Sequence, residues 1–281
     1  MRRVSACAAL VLLAAAIALA QRGFRGGDFG FGPGRGPFKV YPNARYDGRF
    51  TFVRVNYETA PGGYWYGGWP AWAHGYPLAE QNLMKIMNEV SFLGAHDEEI
   101  NTIAFDDPEL FKYPVAYVIE VSWELMNDRE VAALRAYLKK GGFLIVDDFK
   151  ERGYRGFGFG GVASRSERPP DGAGWGVFAA NMKRVLPDLR FYEMDASHPI
   201  FHCFFEIDDL DVVPQAYVAG RPIFRGVYED NDPAKRLQMI VNYNTDVSQF
   251  WEWSGTGLRP IDDTNEAYKL GVNYIMYGLT H

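Results

Sequence analysis

Two buried-looking apolar runs joined by a strongly marked helix constrain this chain more than any other feature. VAYVIEV (115–121) and GFLIVDD (142–148) are near-continuous apolar runs, the pattern of strands covered on both faces. Between them Asn127 is a helix N-cap, and Glu130 lies three residues on to complete a capping-box pair. Val131, Leu134 and Leu138 share one helical face, Lys139 and Lys140 suit the negative C-terminal end, and Gly141 marks the stop. A strand, a helix and a second strand in this order predict a right-handed crossover between parallel neighbours.

The rest of the chain repeats the alternation. FTFVRVNY (50–57) alternates and is rich in β-branched and aromatic residues, as a strand requires. Residues 78–94 place Leu83, Ile86, Met87, Val90 and Leu93 on one face, with Gly94 as the stop. A short strand is expected near 100–105, and Asp107-Pro108 reads as an N-cap followed by proline at the first helical position. A helix near 175–186, ended by Pro187, a strand at 236–244 and a final helix at 263–281 complete the pattern. The expected class is α/β: a three-layer fold whose mainly parallel sheet carries helices on both faces. Such folds collect functional groups at the carboxyl ends of strands. Asp147, Asp148, Glu120 and the loop after Tyr57 fall there.

The first residues give an address. Arg2 and Arg3, the apolar stretch from Val4 to Ala18, and Ala18-Leu19-Ala20 form the three regions of a secretory signal, so 1–20 is expected to be cleaved and the protein exported to the periplasm or beyond. No stable membrane span is expected after cleavage. Residues 21–48 form a Gly-rich leader, 49–281 a single α/β domain, and 152–176 a second Gly-rich tract that interrupts it as a lid, binding loop or insertion. Cleavage leaves 27 basic against 35 acidic side chains, a formal charge of −8. That balance argues against a nucleic acid partner, which needs a basic surface. Cys203 would be the one thiol left, so the fold must stand on its core without a disulfide.

The ordered motifs FTFVRVNY, YPLAEQN, DPELFKYPVAYVIE, LRAYLKKGGFLIVDDF, HPIFHCFFEI, VNYNTDVSQFWEW and LGVNYIMYGLTH resemble an exported bacterial domain-of-unknown-function family. The resemblance spans 49–281 and implies a class I glutamine amidotransferase-like, flavodoxin-like fold. In some members of that family the domain follows a membrane-anchored aerotolerance-type region. YLKKGGFLIVDD and HPIF are also similar, more weakly, to trehalose-utilisation-type relatives. The tract at 152–176 departs from the family's plainer pattern. The implied fold comes here without its nucleophile: no Gly-x-Cys-x-Gly surrounds Cys203 and no Gly-x-Ser-x-Gly elbow occurs.

Four groups of residues remain as candidates for chemistry. Asp147 and Asp148 are a general base, a hard-cation ligand alongside Glu120, or acceptors for free backbone N–H groups at the strand end. Adjacent strand residues point to opposite sides, so at most one should face the crevice. His198, before Pro199, is a structural imidazole or a partner to these acids across the crevice. With His202 it makes a poor zinc pair, because its segment is extended. Trp65, Trp69 and Trp72, among the tyrosines and glycines of 61–77, either stack on a ligand or cover the sheet edge. Asn244, Asp246 and Glu252 form an Asx-turn or contact a polar ligand or Ca²⁺. The sequence names no cofactor. It leads us to expect an exported envelope accessory or binding domain, with a glycan, another polar ligand or an envelope protein as partner. The alternatives are a carbohydrate-active hydrolase or lyase using Asp147 or Asp148 with His198, and a partner-binding scaffold.

Overall fold

The computed structural model describes residues 38–65, 68–149, 173–214 and 220–281. The expected secretory signal at 1–20, most of the expected leader and most of the 152–176 tract lie outside the described residues. The strands of the main sheet are β1 (Val53–Val55), β2 (Asn101–Ile103), β3 (Val115–Ile119), β4 (Phe143–Asp147), β5 (Tyr192–Glu193), β6 (Ile223–Tyr228) and β7 (Leu237–Tyr243). Their order across the sheet is β2-β1-β3-β4-β7-β6-β5. The first five run parallel; β6 runs against β7, and β5 against β6. This is the α/β fold with a mainly parallel sheet that the alternation implied. Strand β6 was not read in the sequence, because Arg225 and Gly226 interrupt its apolar pattern.

The helices are α1 (Leu78–Val90), α2 (Asp128–Lys139), α3 (Ala173–Val185), α4 (Val247–Glu252) and α5 (Ile261–Thr280). Helices α1, α4 and α5 pack against one another, and α2 packs against α3. Strands β3 and β4 are buried along their whole length, as expected of strands between two helical layers. Val115, Tyr117, Ile119, Phe143 and Ile145 share one core with Leu83, Met87, Trp251, Leu270 and Tyr274 from the helices. The capping box on α2 is present: the Asn127 side chain accepts from the Arg129 and Glu130 amides, and Glu130 accepts from the Asn127 amide. Asp107 likewise caps the short 3-10 helix Pro108–Lys112. Helix α3 begins at Ala173, inside the stretch expected to be Gly-rich insertion. Its Trp175 and Phe178 pack with Phe149 and Tyr243, and the Arg225 guanidinium lies 3.9 Å from the Trp175 ring centroid. Among the described residues no helix is long and apolar enough to cross a membrane.

Two local features depart from simple periodicity. Arg54, between Val53 and Val55, is completely buried although strand alternation would send it to a polar face. Its Nε donates to Glu80 Oε1 on α1, and its Nη1 donates to the carbonyls of Trp72 and His74. At the β2 edge, Asn43 accepts from the Thr102 amide and donates to the Thr102 carbonyl. The Asn101 side chain does the same for the backbone of Ala44. The end of the expected leader is thus fixed on the sheet.

A small second unit is made, among the described residues, by Phe38, Lys39, Trp65, Gly68 and Trp69. Within it the Phe38 and Trp69 rings meet edge-on at 4.8 Å.

Candidate functional site at the sheet's carboxyl edge

The chain leaves β1 toward β2 on one side and returns to β3 on the other, so the sheet switches direction between β1 and β3. Crevices at such points are the usual ligand sites of doubly wound sheets. Three segments meet here: the loop after β1 and the turns that end β3 and β4.

Glu120 follows β3 and Asp148 follows β4, and both are left-handed, with φ of 49° and 48°. That conformation costs a non-glycine residue about 1–2 kcal/mol. Neighbouring contacts hold it: the Glu120 amide donates to the Asp148 carbonyl at 2.8 Å, and the Tyr57 hydroxyl donates to the carbonyls of Ile119 and Glu120. Glu120 opens directly into the 3-10 turn Val121–Trp123.

The third segment is set by Arg54. Its grip on the Trp72 and His74 carbonyls fixes the end of the 3-10 turn Ala71–Ala73, and Gly75 then turns left-handed at φ 72°. A side chain at Gly75 would come within 3.3 Å of Glu252 Oε2. The result places His74 Nδ1 2.9 Å from Glu120 Oε1 and 3.7 Å from Asp148 Oδ2. Both carboxylates are fully buried, and the His74 side chain is 13 % exposed. Burial alone would depress the His74 pKa, but hydrogen bonding to Asp148 and Glu120 outweighs it and lifts the pKa to about 10. Glu252 adds further negative potential.

Asp147 and Asp148 therefore part company. Asp147 accepts from the Tyr117 hydroxyl, the Asn242 amide and the backbone N–H groups of Val247 and Ser248 at the start of α4. Asn242 is held in turn by the Tyr274 hydroxyl. Burial, reinforced by the nearby Asp246 charge, pushes the Asp147 pKa up to about 7. Asp246 caps α4 through the Gln249 amide and the Ser248 hydroxyl. Asn244, left-handed at the end of β7, donates to the Arg221 carbonyl.

His198 stands elsewhere. It accepts from the Ile200 amide and packs among Phe201, Tyr228 and Tyr277, where burial lowers its pKa. Tyr277 also touches Phe143, the first residue of β4, whereas Asp147 and Asp148 lie at that strand's other end. Of the two readings of His198, its packing among these rings fits the structural imidazole; the structure does not bring it to Asp147 or Asp148, and His74 is the imidazole beside Asp148. Trp72 is buried against Tyr76 rather than presented to solvent, while Trp65 and Trp69 belong to the small unit. Cys203 donates to the Ile200 and Asn273 carbonyls, and burial pushes its thiol up to about 11. His74 was missed in the sequence. The available signal was a histidine before Gly75 in the loop that follows the first strand, and it was hidden among aromatic rings.

A family model described as a domain of unknown function, DUF4159, matches residues 51–279. No curated protein matches the chain.

Proposed function

The chain belongs to the DUF4159 family, and from that premise we propose that it is an exported accessory or binding domain of the cell envelope. In this reading it is an amidotransferase-like scaffold without the nucleophile, and it holds a polar ligand such as a glycan at the His74–Glu120–Asp148 edge. The observation that carries the reading is the convergence of two left-handed carboxylate residues, from adjacent strand ends, on one half-buried imidazole. Non-glycine residues held left-handed gather at functional sites because the surrounding structure must stabilise them. The secretory pattern of residues 1–20 supports export. The turn after β3 carries Glu120, and the raised pKa of Cys203 suits a packed thiol rather than an attacking thiolate.

The test is calorimetric titration with soluble envelope glycan fragments, in EDTA, against the wild type and Glu120→Gln. Saturable binding that weakens at least roughly tenfold in the variant supports the reading. Glutamine hydrolysis that disappears in Cys203→Ser overturns it. The hydrolase or lyase alternative draws on the same groups, with His74 in the place first given to His198. Turnover of a glycan abolished by Asp148→Asn, with the melting temperature preserved, would select it.

A further inference from the structure

We propose that His74, Glu120 and Asp148 form a divalent-cation site. The inference rests on the location just named but not on its glycan ligand. Each of the three residues can present one ligand atom, and those atoms lie within 4.8 Å of one another. An ion bound at about 2.0–2.6 Å from each donor needs donors no farther apart than that. One imidazole nitrogen and two carboxylates suit a borderline or hard dication such as Mn²⁺, and two negative charges would neutralise it.

The surroundings favour a cation independently of these three side chains. Glu80, Asp147 and Asp246 are buried nearby, and Glu252 acts on both His74 and Glu80. The buried Arg54 is engaged with Glu80 and two carbonyls. Glu80, tied to the same arginine that holds the His74 carbonyl, keeps Oε2 fully buried with no hydrogen-bond partner. The donors are also held in place, since Tyr57 and the Glu120–Asp148 backbone bond fix the two turns and Arg54 fixes the loop. Both carboxylates are fully buried and the His74 side chain is 13 % exposed, so His74 is the member of the three nearest to solvent.

A second group, His202, Glu206 and Asp208, also places ligand atoms within 4.8 Å but on the surface, and it serves as the control. Protein stripped with EDTA and dialysed is titrated with MnCl₂ while free Mn²⁺ is followed by EPR. We expect one Mn²⁺ per chain, affinity reduced at least roughly tenfold in Glu120→Gln and in Asp148→Asn, and no change in His202→Gln. Pulsed EPR of the His202→Gln protein should show nitrogen coupling from one imidazole. That spectrum does not depend on the carboxylate variants, so the test survives if either fails to fold. Dissociation constants weaker than about 1 mM for Mn²⁺, Zn²⁺ and Mg²⁺ alike overturn the proposal. So does absence of the nitrogen coupling, or binding lost in His202→Gln. Glycan binding in EDTA without any Mn²⁺ site leaves the proposed function standing and removes this inference; Mn²⁺ binding without glycan recognition does the reverse.

Discussion

Glu124, just past the 3-10 turn that follows Glu120, should make the fold weaken as pH rises. Glu124 is 3 % exposed, and its backbone bridges to Thr59. Burial first, then the charge of Glu130 on α2, lifts its pKa from 4.5 to about 8, against the pull of Asn181 and Arg184 on α3. A carboxyl whose pKa rises on folding contributes its full stability below its unfolded value and loses it as pH climbs through the folded one. The window is therefore pH 4.5 to 8. At about 1.4 kcal/mol per pH unit the displacement corresponds to roughly 5 kcal/mol, and relaxation on ionisation should bring the loss between pH 5 and 8 to about 2–4 kcal/mol. Urea unfolding at pH 5, 6, 7 and 8 would measure it, with Glu124→Gln as the neutral counterpart. Asp147, also raised, titrates in both proteins, so the difference between the two pH profiles isolates Glu124. Parallel profiles for wild type and variant would refute the reasoning.

Other perturbations have equally specific outcomes. Asp147→Ala strands four buried donors, of which those from Tyr117 and Ser248 are the shortest, and should cost about 3–4 kcal/mol in urea unfolding; a loss under 1 kcal/mol would mean that Asp147 is not a strut. Gly75→Ala puts a Cβ into a left-handed turn beside Glu252 and should cost about 1–2 kcal/mol while displacing His74, visible as a shifted imidazole resonance by NMR. An unshifted resonance would detach Gly75 from the placement of His74. Asn43→Ala should leave the monomer's far-ultraviolet spectrum unchanged yet raise the sedimenting fraction as concentration increases. Sedimentation matching wild type would show that Asn43 does not guard the edge.

The fold was legible where local chemistry and burial agree. The capping box at Asn127–Glu130 and the unbroken apolar runs of β3 and β4 leave one reading, and their parallel register follows from the helix between them. Arg54 was not legible, because its burial depends on Glu80, 26 residues away, and on two carbonyls of a loop that no periodicity describes. The site was half legible. Glu120 and Asp148 could be placed at strand ends, but strand alternation does not decide between the adjacent aspartates, because Asp148 lies past the end of β4. What brings Asp148 to the site is a left-handed backbone fixed by the Glu120 amide, a tertiary contact with no local mark. His198 drew attention through its proline neighbour, but its environment is set by Tyr228 and Tyr277, far along the chain.

The two interlocked asparagines at the β2 edge bear on how the protein is made as well as on how it stands. A parallel sheet pairs residues distant in sequence and so closes late, leaving its outermost strand as a template for other copies while the chain is still condensing. Asn43 and Asn101 present amide groups that imitate a neighbouring strand for a single residue and then stop. For a sheet that closes late, that short imitation acts as a terminator of growth: it caps the edge without offering the next copy a row to read.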